Sequence, residues 1–529
     1  MNRKQFITSI STMAALSVIS PWAHGQEQED INSFPEKVLQ GDSPYVEHVP
    51  IPEYHNAPAA AYEAFQDMKF GARIHWGIYS IWHRGAESWP FLKMSFQDRH
   101  AYNDLYKTWN PAGFDASSWV STFKESGMKM FAFTTKHHEG FSMFDTKTRV
   151  KKRTNWGATG GPKMEECDLA YSIMETPFRR DIVKELCDAA HKQGIKVDLY
   201  FSHPDWYDAE FRPYGQHPLQ VPSSKDLMVP WDYQRVQSVF RDHTILVSDP
   251  TEFEVKRMIE RHRAQLVELV SNYDTIDMIC LDICLGPKVW PELRKTILKV
   301  REIQPNIMLR NRGIGNYGDY YTPERVIPGS KVATTKPWFC IYPLGSDFSY
   351  EPDPAKYKGV KWIIDTLVDT VAKGGGLMVG VGPSAYGEFH PEAIRQMKET
   401  GKWLRVNGEA IYATRPRGGA NYAEGDHVRF TRTKDNCWIY VILTEWPGRE
   451  LIVNSLRAKD GSKITLLGSP ASLEWSFDSS KGTVIRLPEN LQGNSNRPSE
   501  HAWTLKVKVS YASVSGCLAE SLCSRPIPL

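Results

Sequence analysis

The feature that most constrains the fold is an alternation of short apolar runs with amphipathic segments between about residues 60 and 410. The runs have the length and β-branched composition of buried strands, and the segments between them have helical periodicity. This pattern predicts βα units, a parallel sheet and an α/β, TIM-like (β/α) barrel of eight strands, one of them weakly marked. The predicted strands are residues 72–79, 128–135, 196–202, 276–282, 307–311, 331–335 and 377–382.

Helix starts are marked between these runs. Asp115 precedes one amphipathic segment, Pro177 leads into a helix predicted over residues 178–192, and Asp249-Pro250 opens a long one that runs to Val270. Asp is a favoured capping residue, and Pro is tolerated in the first helical turn. The stretch 204–235, rich in Pro, Asp and aromatic residues, is predicted to be an insertion at the top of the barrel.

The pattern changes after Tyr412. Short alternating runs separated by turn residues predict a C-terminal all-β sandwich domain. We therefore expect a catalytic barrel with an N-terminal lead-in over 26–412, a sandwich over 413–509 and an aperiodic tail over 510–529. The predicted strands of the sandwich are residues 428–431, 438–443, 450–453, 462–467, 483–487 and 503–509.

The N-terminus has the features of an export signal. Arg3 and Lys4 precede a mostly apolar stretch over 6–19, and Ala23-His24-Gly25 forms a small-x-small cleavage site. The sequence therefore predicts a signal peptide over residues 1–25 and export to the periplasm or the extracellular space. An uncleaved anchor is the alternative, although the apolar run is short for a span and no later stretch reaches about 18 apolar residues.

Charge and cysteine content narrow the possible partners. Lys and Arg number 64 against 62 Asp and Glu, a formal net charge of +2, so nucleic-acid binding is not expected. The eight cysteines contain no CxxC pair. Cys280 and Cys284 lie in an apolar segment and are predicted to be buried thiols rather than metal ligands. Cys517 and Cys523, in the tail, are candidates for a disulfide. The sequence does not indicate an oligomeric state.

Polar residues follow several of the predicted barrel strands. In a (β/α) barrel the carboxyl ends of the strands meet at one rim, and functional groups collect there. The candidates at that rim are His75, the pair His137 and His138, Asp282, and Arg310 to Arg312 with the loop 318–324 that ends in Glu324.

Each candidate also has a structural interpretation. His75 can be a core histidine, Asp282 a helix cap and Glu324 an ordinary loop carboxylate. His137 and His138 suggest a metal, but adjacent residues on an extended segment point in opposite directions. Neither has a ligand at helical i, i+4 spacing. Hydrogen bonding to hydroxyl groups is therefore the preferred interpretation of the pair.

Taken together, these segments resemble glycoside hydrolase family 29, the α-L-fucosidases, over residues 61–412. The resemblance is carried by Phe-Gly and Ile-His-Trp-Gly-Ile-Tyr-Ser within 70–80, Thr-Thr-Lys-His-His-Glu-Gly-Phe at 134–141, Asn-Arg at 311–312, Gly-Asp and Thr-Pro-Glu within 318–324, Lys-Gly-Gly-Gly-Leu and Gly-Pro within 373–383, and Asn-Gly-Glu-Ala-Ile-Tyr at 407–412.

The resemblance implies a retaining α-L-fucosidase that hydrolyses terminal α-L-fucosyl residues of a fucosylated oligosaccharide or glycoconjugate. It implies that Asp282 is the nucleophile and Glu324 the acid/base, with the higher pKa of the two. No metal or organic cofactor is expected. The sugar-binding residues implied are His75, Glu87, Trp89, His137, His138, Tyr200 and Arg312. The family pairs Glu directly with Trp where this chain has Ser88 between them, and the tyrosine has a second possible register at Phe201.

The chain departs from the family pattern at two further positions. A tryptophan that often stands two residues before the nucleophile is replaced by Cys280, and a Trp-Glu pair is replaced by Trp338-Phe339. Both replacements are expected to reshape the pocket, the first by admitting a larger C5 substituent. The alternatives are therefore a retaining hydrolase of a related L-sugar, such as an α-L-galactoside, and an inactive glycan-binding homologue.

Overall fold

The computed structural model describes residues 43–240, 245–329 and 334–509. The predicted signal peptide, the tail and the proposed Cys517–Cys523 pair lie outside these ranges. Within the described ranges, the strands before the C-terminal domain are β1 (Phe70–Ile74), β2 (Met130–Lys136), β3 (Val150–Asn155), β4 (Lys163–Leu169), β5 (Lys196–Ser202), β6 (Leu219–Gln220), β7 (Ile245–Leu246), β8 (Met278–Asp282), β9 (Met308–Leu309), β10 (Phe339–Pro343) and β11 (Gly376–Gly380).

Seven of these strands form one curled parallel sheet in the order β10-β11-β1-β2-β5-β8-β9. The predicted parallel α/β architecture is confirmed. The strand predicted at 331–335 falls partly on residues 330–333, which the structure does not describe, and the strand observed there is β10, further along the chain.

An irregular segment, residues 319–325, connects the two edges of this sheet. On one side Tyr320 bridges Arg310, and on the other Tyr321 bridges Trp338 and Glu324 bridges Ile341. The amide of Ile341 donates to the carbonyl of Pro323 at 2.9 Å. This closing segment, predicted as a loop, therefore takes the place of the weakly marked eighth strand.

Helices connect the strands. They are α1 (Ala59–Met68), α2 (Tyr79–Trp82), α3 (Phe96–Asn103), α4 (Ala116–Glu125), α5 (Ile182–Gln193), α6 (Ser224–Leu227), α7 (Pro230–Phe240), α8 (Glu252–Ser271), α9 (Trp290–Ile303), α10 (Val360–Ala372) and α11 (Pro391–Asn407).

The helix starts follow the capping residues. Asp115 caps α4 as predicted, by accepting from the amide of Ser118 at 3.0 Å. The other two predicted starts are early. Asp181, not Pro177, caps α5, and Thr251 forms a capping box with Glu254 at α8. In both cases the side chain that accepts from the backbone, rather than the preceding Pro, fixes the first turn.

Alternate residues of the barrel strands face opposite sides. On β8, Ile279 and Leu281 join the cluster packed beneath the helices, whereas Met278 joins a separate cluster inside the barrel. That inner cluster contains Met130, Met308, Phe339 and Met378, and Phe65 and Met68 of α1 cover it. Since inward positions recur every two residues, Cys280 and Asp282 continue the inward row of Met278 towards the carboxyl end.

The C-terminal domain is antiparallel and all-β, as predicted. Its strand β18, which the sequence did not indicate, pairs first with β17 and then with β19, so the sheet turns there around one apolar core. The strands are β12 (Arg415–Pro416), β13 (Ala423–Glu424), β14 (Val428–Arg432), β15 (Trp438–Leu443), β16 (Glu450–Val453), β17 (Ile464–Leu466), β18 (Ser472–Asp478), β19 (Gly482–Arg486) and β20 (Trp503–Lys508).

This domain packs against the side of the barrel. Trp403 of α11 donates from Nε1 to the carbonyl of Ala502 at 2.8 Å. Arg429 of β14 pairs with Asp369 of α10 at 2.7 Å. Tyr440 also belongs to the buried cluster beneath the barrel helices. These contacts brace the barrel at a distance from its rim. In the parts of the chain that the structure describes, no helix is long and apolar enough to cross a membrane.

Candidate active site

Two carboxylates meet at the carboxyl end of the barrel. Asp282 ends β8, Glu324 lies on the closing segment, and both line one pocket. The guanidinium of Arg312 connects them, with Nη1 2.9 Å from Asp282 Oδ1 and Nη2 2.6 Å from Glu324 Oε1. Arg310, fully buried, lies 3.6 Å from Asp282 and 3.2 Å from Glu324. Two arginines therefore link two carboxylates that come from different chain segments.

The arginines determine the charge of both carboxyl groups. Burial opposes ionisation of Asp282, but Arg312 and Arg310 outweigh it and hold its pKa well below the ordinary value. The hydroxyl of Tyr200 donates to Asp282 Oδ2 at 2.7 Å and acts in the same direction. Burial likewise opposes ionisation of Glu324, and the same arginines lower its pKa below the ordinary value. Without substrate, both groups are therefore ionised near neutral pH.

Three histidine rings form the wall beside Asp282. The ring centroids of His137 and His138 are 4.0 Å apart, and those of His75 and His137 are 5.7 Å apart. The expectation that the adjacent pair points in opposite directions is wrong. β2 ends at Lys136, and the turn that follows directs both rings into the pocket.

The histidines are uncharged. Burial lowers the pKa of His138 to about 4, and it holds the pKa values of His75 and His137 well below the ordinary value. His138 shares a 2.6 Å hydrogen bond between Nδ1 and Ser202 Oγ. Neutral rings with one nitrogen occupied inside the protein can offer the other to a sugar hydroxyl.

The buried polar atoms of the pocket that have no partner among the described residues include His75 Nδ1 and Glu87 Oε1. Burial holds the pKa of Glu87 well above its ordinary value and so favours the protonated carboxyl group, which can donate as well as accept. A buried polar atom without a hydrogen bond is costly. These two atoms are therefore suited to a ligand that carries hydroxyl groups.

The residue inserted between Glu87 and Trp89 does not displace either side chain. Both line the pocket, while Ser88 is buried with its hydroxyl 2.5 Å from His137 Nδ1. The ring of Trp89 lies edge-on to His138, with centroids 4.7 Å apart. Glu87 has a φ of 32°, and this unusual backbone accommodates the extra residue.

The alternation of β5 decides the tyrosine register. Tyr200 faces inward, with its ring stacked 5.5 Å from that of His137 and its hydroxyl on Asp282. Phe201 faces outward into the cluster beneath the helices, where its ring is 5.4 Å from that of His262. The site therefore contains Tyr200 and not Phe201. All nine predicted site residues come together around Asp282.

Six pocket residues were not predicted from the sequence: Arg73, Ile283, Arg325, Ile341, Asp347 and Phe348. For Arg73 a signal existed, since it stands two residues before His75 on an inward-facing row. Ile283 and Arg325 directly follow the two carboxylates and have φ values of 60° and 58°. A β-branched residue at positive φ is a genuine outlier, and such strain clusters at functional sites.

The two departures from the family pattern have different outcomes. Cys280 lies one inward position below Asp282 and accepts hydrogen bonds from Arg73 at 2.9 Å and Arg310 at 3.1 Å. Phe339 does not reshape the pocket as expected. It lies in the apolar cluster at the far end of the barrel, with its ring 4.9 Å from that of Phe65. Cys280 and Cys284 are buried free thiols, as predicted.

A larger cleft of about 720 Å³ lies at the opposite end of the barrel, between α1 and the start of β8. Its ionisable lining residues are Lys196, Asp274 and Asp277. Lys196 forms an ion pair with Asp277 at 2.8 Å. Functional sites of such barrels lie at the carboxyl ends of the strands. The smaller polar pocket is therefore the better candidate.

A carboxylate pair, neutral hydrogen-bonding rings and an aromatic wall at the rim of a (β/α) barrel define the site of a glycoside hydrolase. No group of three or more His, Cys, Asp or Glu residues within the described ranges is arranged to hold a metal ion.

Comparison with known proteins identifies the family. The model of the α-L-fucosidase family matches residues 51–409, and that of the α-L-fucosidase C-terminal domain matches residues 421–508. The chain belongs to the α-L-fucosidase family.

Relatives match over most of their length. Tissue α-L-fucosidase of Rattus norvegicus is 26% identical over 88% of this chain and 92% of its own. Tissue α-L-fucosidase of Bos taurus is 27% identical over 86% of this chain and 90% of its own. A Bacteroides thetaiotaomicron α-L-fucosidase, solved as a trapped covalent intermediate with 2-fluoro-fucosyl fluoride, superposes with a TM-score of 0.65 at 24% identity over 87% of this chain and all of that one.

Proposed function

We propose that the protein is a retaining α-L-fucosidase with Asp282 as nucleophile and Glu324 as acid/base. The observation that carries this proposal is the bridge of Arg312 between the two carboxylates. In retaining enzymes the two carboxyl groups are about 5–5.5 Å apart, and in inverting enzymes they are about 6.5–9.5 Å apart. Because one planar guanidinium reaches both carboxylates, the shorter separation is favoured here. The covalent intermediate trapped in the Bacteroides relative supports the same stereochemical course.

The first step forms the fucosyl-enzyme. An oxygen of Asp282 attacks the anomeric carbon, the bond to the aglycone oxygen breaks, and Glu324 transfers its proton to that oxygen. In the second step the Glu324 carboxylate takes a proton from water, whose oxygen displaces Asp282 from the anomeric carbon. The low pKa of Asp282 keeps the nucleophile ionised before it attacks.

Glu324 must be protonated for the first step, yet its pKa is lowered in the free protein by Arg312 and Arg310. Substrate hydroxyls that draw the half-buried Arg312 away from Glu324 remove part of this stabilisation of the carboxylate. The pKa of Glu324 then rises when the sugar binds, and the acid is formed where it is used. His75, Glu87, Trp89, His137, His138 and Tyr200 hold the glycone.

A panel of aryl α-L-glycosides tests the proposal. We expect hydrolysis of the α-L-fucoside with release of α-L-fucose as the first product anomer, measured by proton NMR. Release of the β-anomer would contradict the retaining mechanism. Hydrolysis of the α-L-galactoside alone would favour the related L-sugar, and sugar binding without turnover would favour an inactive glycan-binding protein.

Export belongs to the same proposal, since residues 1–25 have the features of a cleaved signal. N-terminal sequencing of the protein recovered from a periplasmic or culture fraction should begin at Gln26. Recovery of a chain that begins at Met1 from the membrane fraction would instead support the uncleaved anchor.

A further inference from the structure

The layer directly beneath the catalytic carboxylates contains two buried arginines around one sulfur. Arg73 of β1 and Arg310 both donate to Cys280 Sγ, and both are almost fully buried. Arg310 also reaches Asp282 and Glu324. No carboxylate of the described ranges lies within ion-pairing distance of Arg73, and its Nε, though buried, has no hydrogen-bond partner among them.

Arg73 is part of the pocket floor. Its guanidinium lies over the ring of Tyr200, 4.7 Å from the centroid, and Tyr200 in turn donates to Asp282. Arg73 lines the pocket together with Asp282 and Phe348. A buried guanidinium with a free donor is costly unless a ligand supplies an acceptor. The pocket floor therefore offers a hydrogen-bond donor to an oxygen atom of a ligand.

Stereochemistry identifies the part of the sugar that faces this floor. In an α-L-glycoside the aglycone and C6 lie on opposite faces of the pyranose ring. In-line displacement brings the nucleophile to the face opposite the aglycone, which is the face that carries C6. The substituent on C5 therefore lies on the side of Asp282. Cys280 is the next inward residue below Asp282 on the same strand, and Arg73 is bonded to it.

We propose that Arg73 is a specificity-determining residue whose Nε donates a hydrogen bond to an oxygen on C6 of the bound sugar. Fucose, a 6-deoxy sugar, has no such oxygen, whereas α-L-galactosides carry a hydroxyl group there. The site then accepts α-L-galactosides as substrates in addition to α-L-fucosides. This inference rests on the proposed function, since it assigns Asp282 as the attacking group.

The test compares 4-nitrophenyl α-L-galactoside with 4-nitrophenyl α-L-fucoside. For the wild type we expect a kcat/KM on the galactoside at least equal to that on the fucoside. Arg73→Met, which keeps the length of the side chain and removes the donor, should lower the galactoside-to-fucoside ratio by roughly 10–100-fold, the range of a hydrogen bond to a charged group. A Lys196→Met variant, which removes a cation in the cleft at the opposite end of the barrel, should leave the ratio unchanged.

Either of two results overturns the inference: a wild-type kcat/KM on the galactoside below one hundredth of that on the fucoside, or an unchanged ratio in Arg73→Met. If the variant does not fold, calorimetric binding of free L-galactose and L-fucose to the wild type replaces it. Tighter binding of L-galactose is expected, and tighter binding of L-fucose overturns the inference. Absence of turnover on both glycosides contradicts the proposed function instead, and the binding comparison still tests Arg73.

Discussion

The two ends of the barrel interior take their side chains from the same strands but differ in chemistry. On β8 the inward row begins with Met278 among other methionines and ends four residues later with Asp282 in the pocket. At about 3.3 Å per residue, that change takes place over about 13 Å. Cys280 lies between them, where the arginine layer separates the apolar end from the polar end.

This difference separates stability from function. The lower end is filled with apolar side chains, and removing one of them lowers the free energy of unfolding. At the upper end, His75 Nδ1 and Glu87 Oε1 have no partners among the residues that the structure describes, and Ile283 and Arg325 have positive φ. Each such strained residue costs about 1–3 kcal/mol. Substitutions at the two ends should therefore affect different measurements.

The largest effect is expected at the upper end of β8. Asp282→Asn keeps the shape of the side chain but removes the nucleophile, so kcat/KM on an aryl α-L-fucoside should fall by roughly 10⁴-fold or more. Initial-rate kinetics measure this loss. The matched control is Asp274→Asn in the cleft at the lower end, where the side chain is exposed. A loss of less than tenfold in Asp282→Asn would remove Asp282 from the mechanism.

The second effect concerns the other carboxylate. Glu324→Ala should lower kcat/KM by about 10²–10⁴-fold, because general acid catalysis is lost. Azide should restore part of the rate and give a fucosyl azide of retained configuration, since a small anion can occupy the space of the carboxylate and replace water in the second step. The wild type, which needs no such replacement, should not be accelerated. Absence of rescue would contradict the assignment of Glu324.

The lower end should respond in stability alone. Met278→Ala deletes a side chain in the inner apolar cluster and should lower the free energy of unfolding by about 2–5 kcal/mol, with kcat per folded molecule unchanged. Urea unfolding and active-site titration measure the two quantities. Phe253→Ala, at an exposed position, should change stability by less than about 0.5 kcal/mol. A large fall in kcat for Met278→Ala would show that the two ends are coupled.

The last prediction concerns pH. Arg312 lowers the pKa of Glu324, so the free enzyme loses the proton of its acid at a lower pH than an ordinary glutamate would. In Arg312→Met that pKa rises, and the alkaline limb of the profile of kcat/KM, which reports the free enzyme, should move to higher pH. The overall rate should fall as well, because a sugar contact is lost. A limb that stays in place or moves to lower pH would contradict the role of Arg312.

Much of this site was predictable from the sequence because it depends on local order along strands. The strand predicted at 196–202 coincides with β5, and period-2 alternation within it places Tyr200 inward. Asp282 was expected at the end of a buried strand and lies there. The resemblance to the family supplied the remaining sugar-binding residues, whose separate segments no local pattern connects.

The rest depends on contacts between distant segments. The closing segment 319–325 has no strand pattern of its own, and its order comes from bridges to Arg310, Trp338 and Ile341. The common direction of His137 and His138 depends on the turn after Lys136. Sequence alone also could not show that Cys280 is held by two arginines, because Arg73 of β1 and Arg310, directly after β9, come from distant parts of the chain.

The closing segment gives the two catalytic carboxyl groups unequal mechanical support. Asp282 ends a strand that is paired with β5 as far as Asp282 itself and with β9 at its start, whereas Glu324 lies on the closing segment, where single bridges replace continuous ladders. The position of the attacking oxygen is thus set by a strand of the sheet, and the position of the proton donor is set by the closing segment. We therefore expect aglycones of different size to be accommodated by small movements of the closing segment, while the strand that carries Asp282 keeps its position.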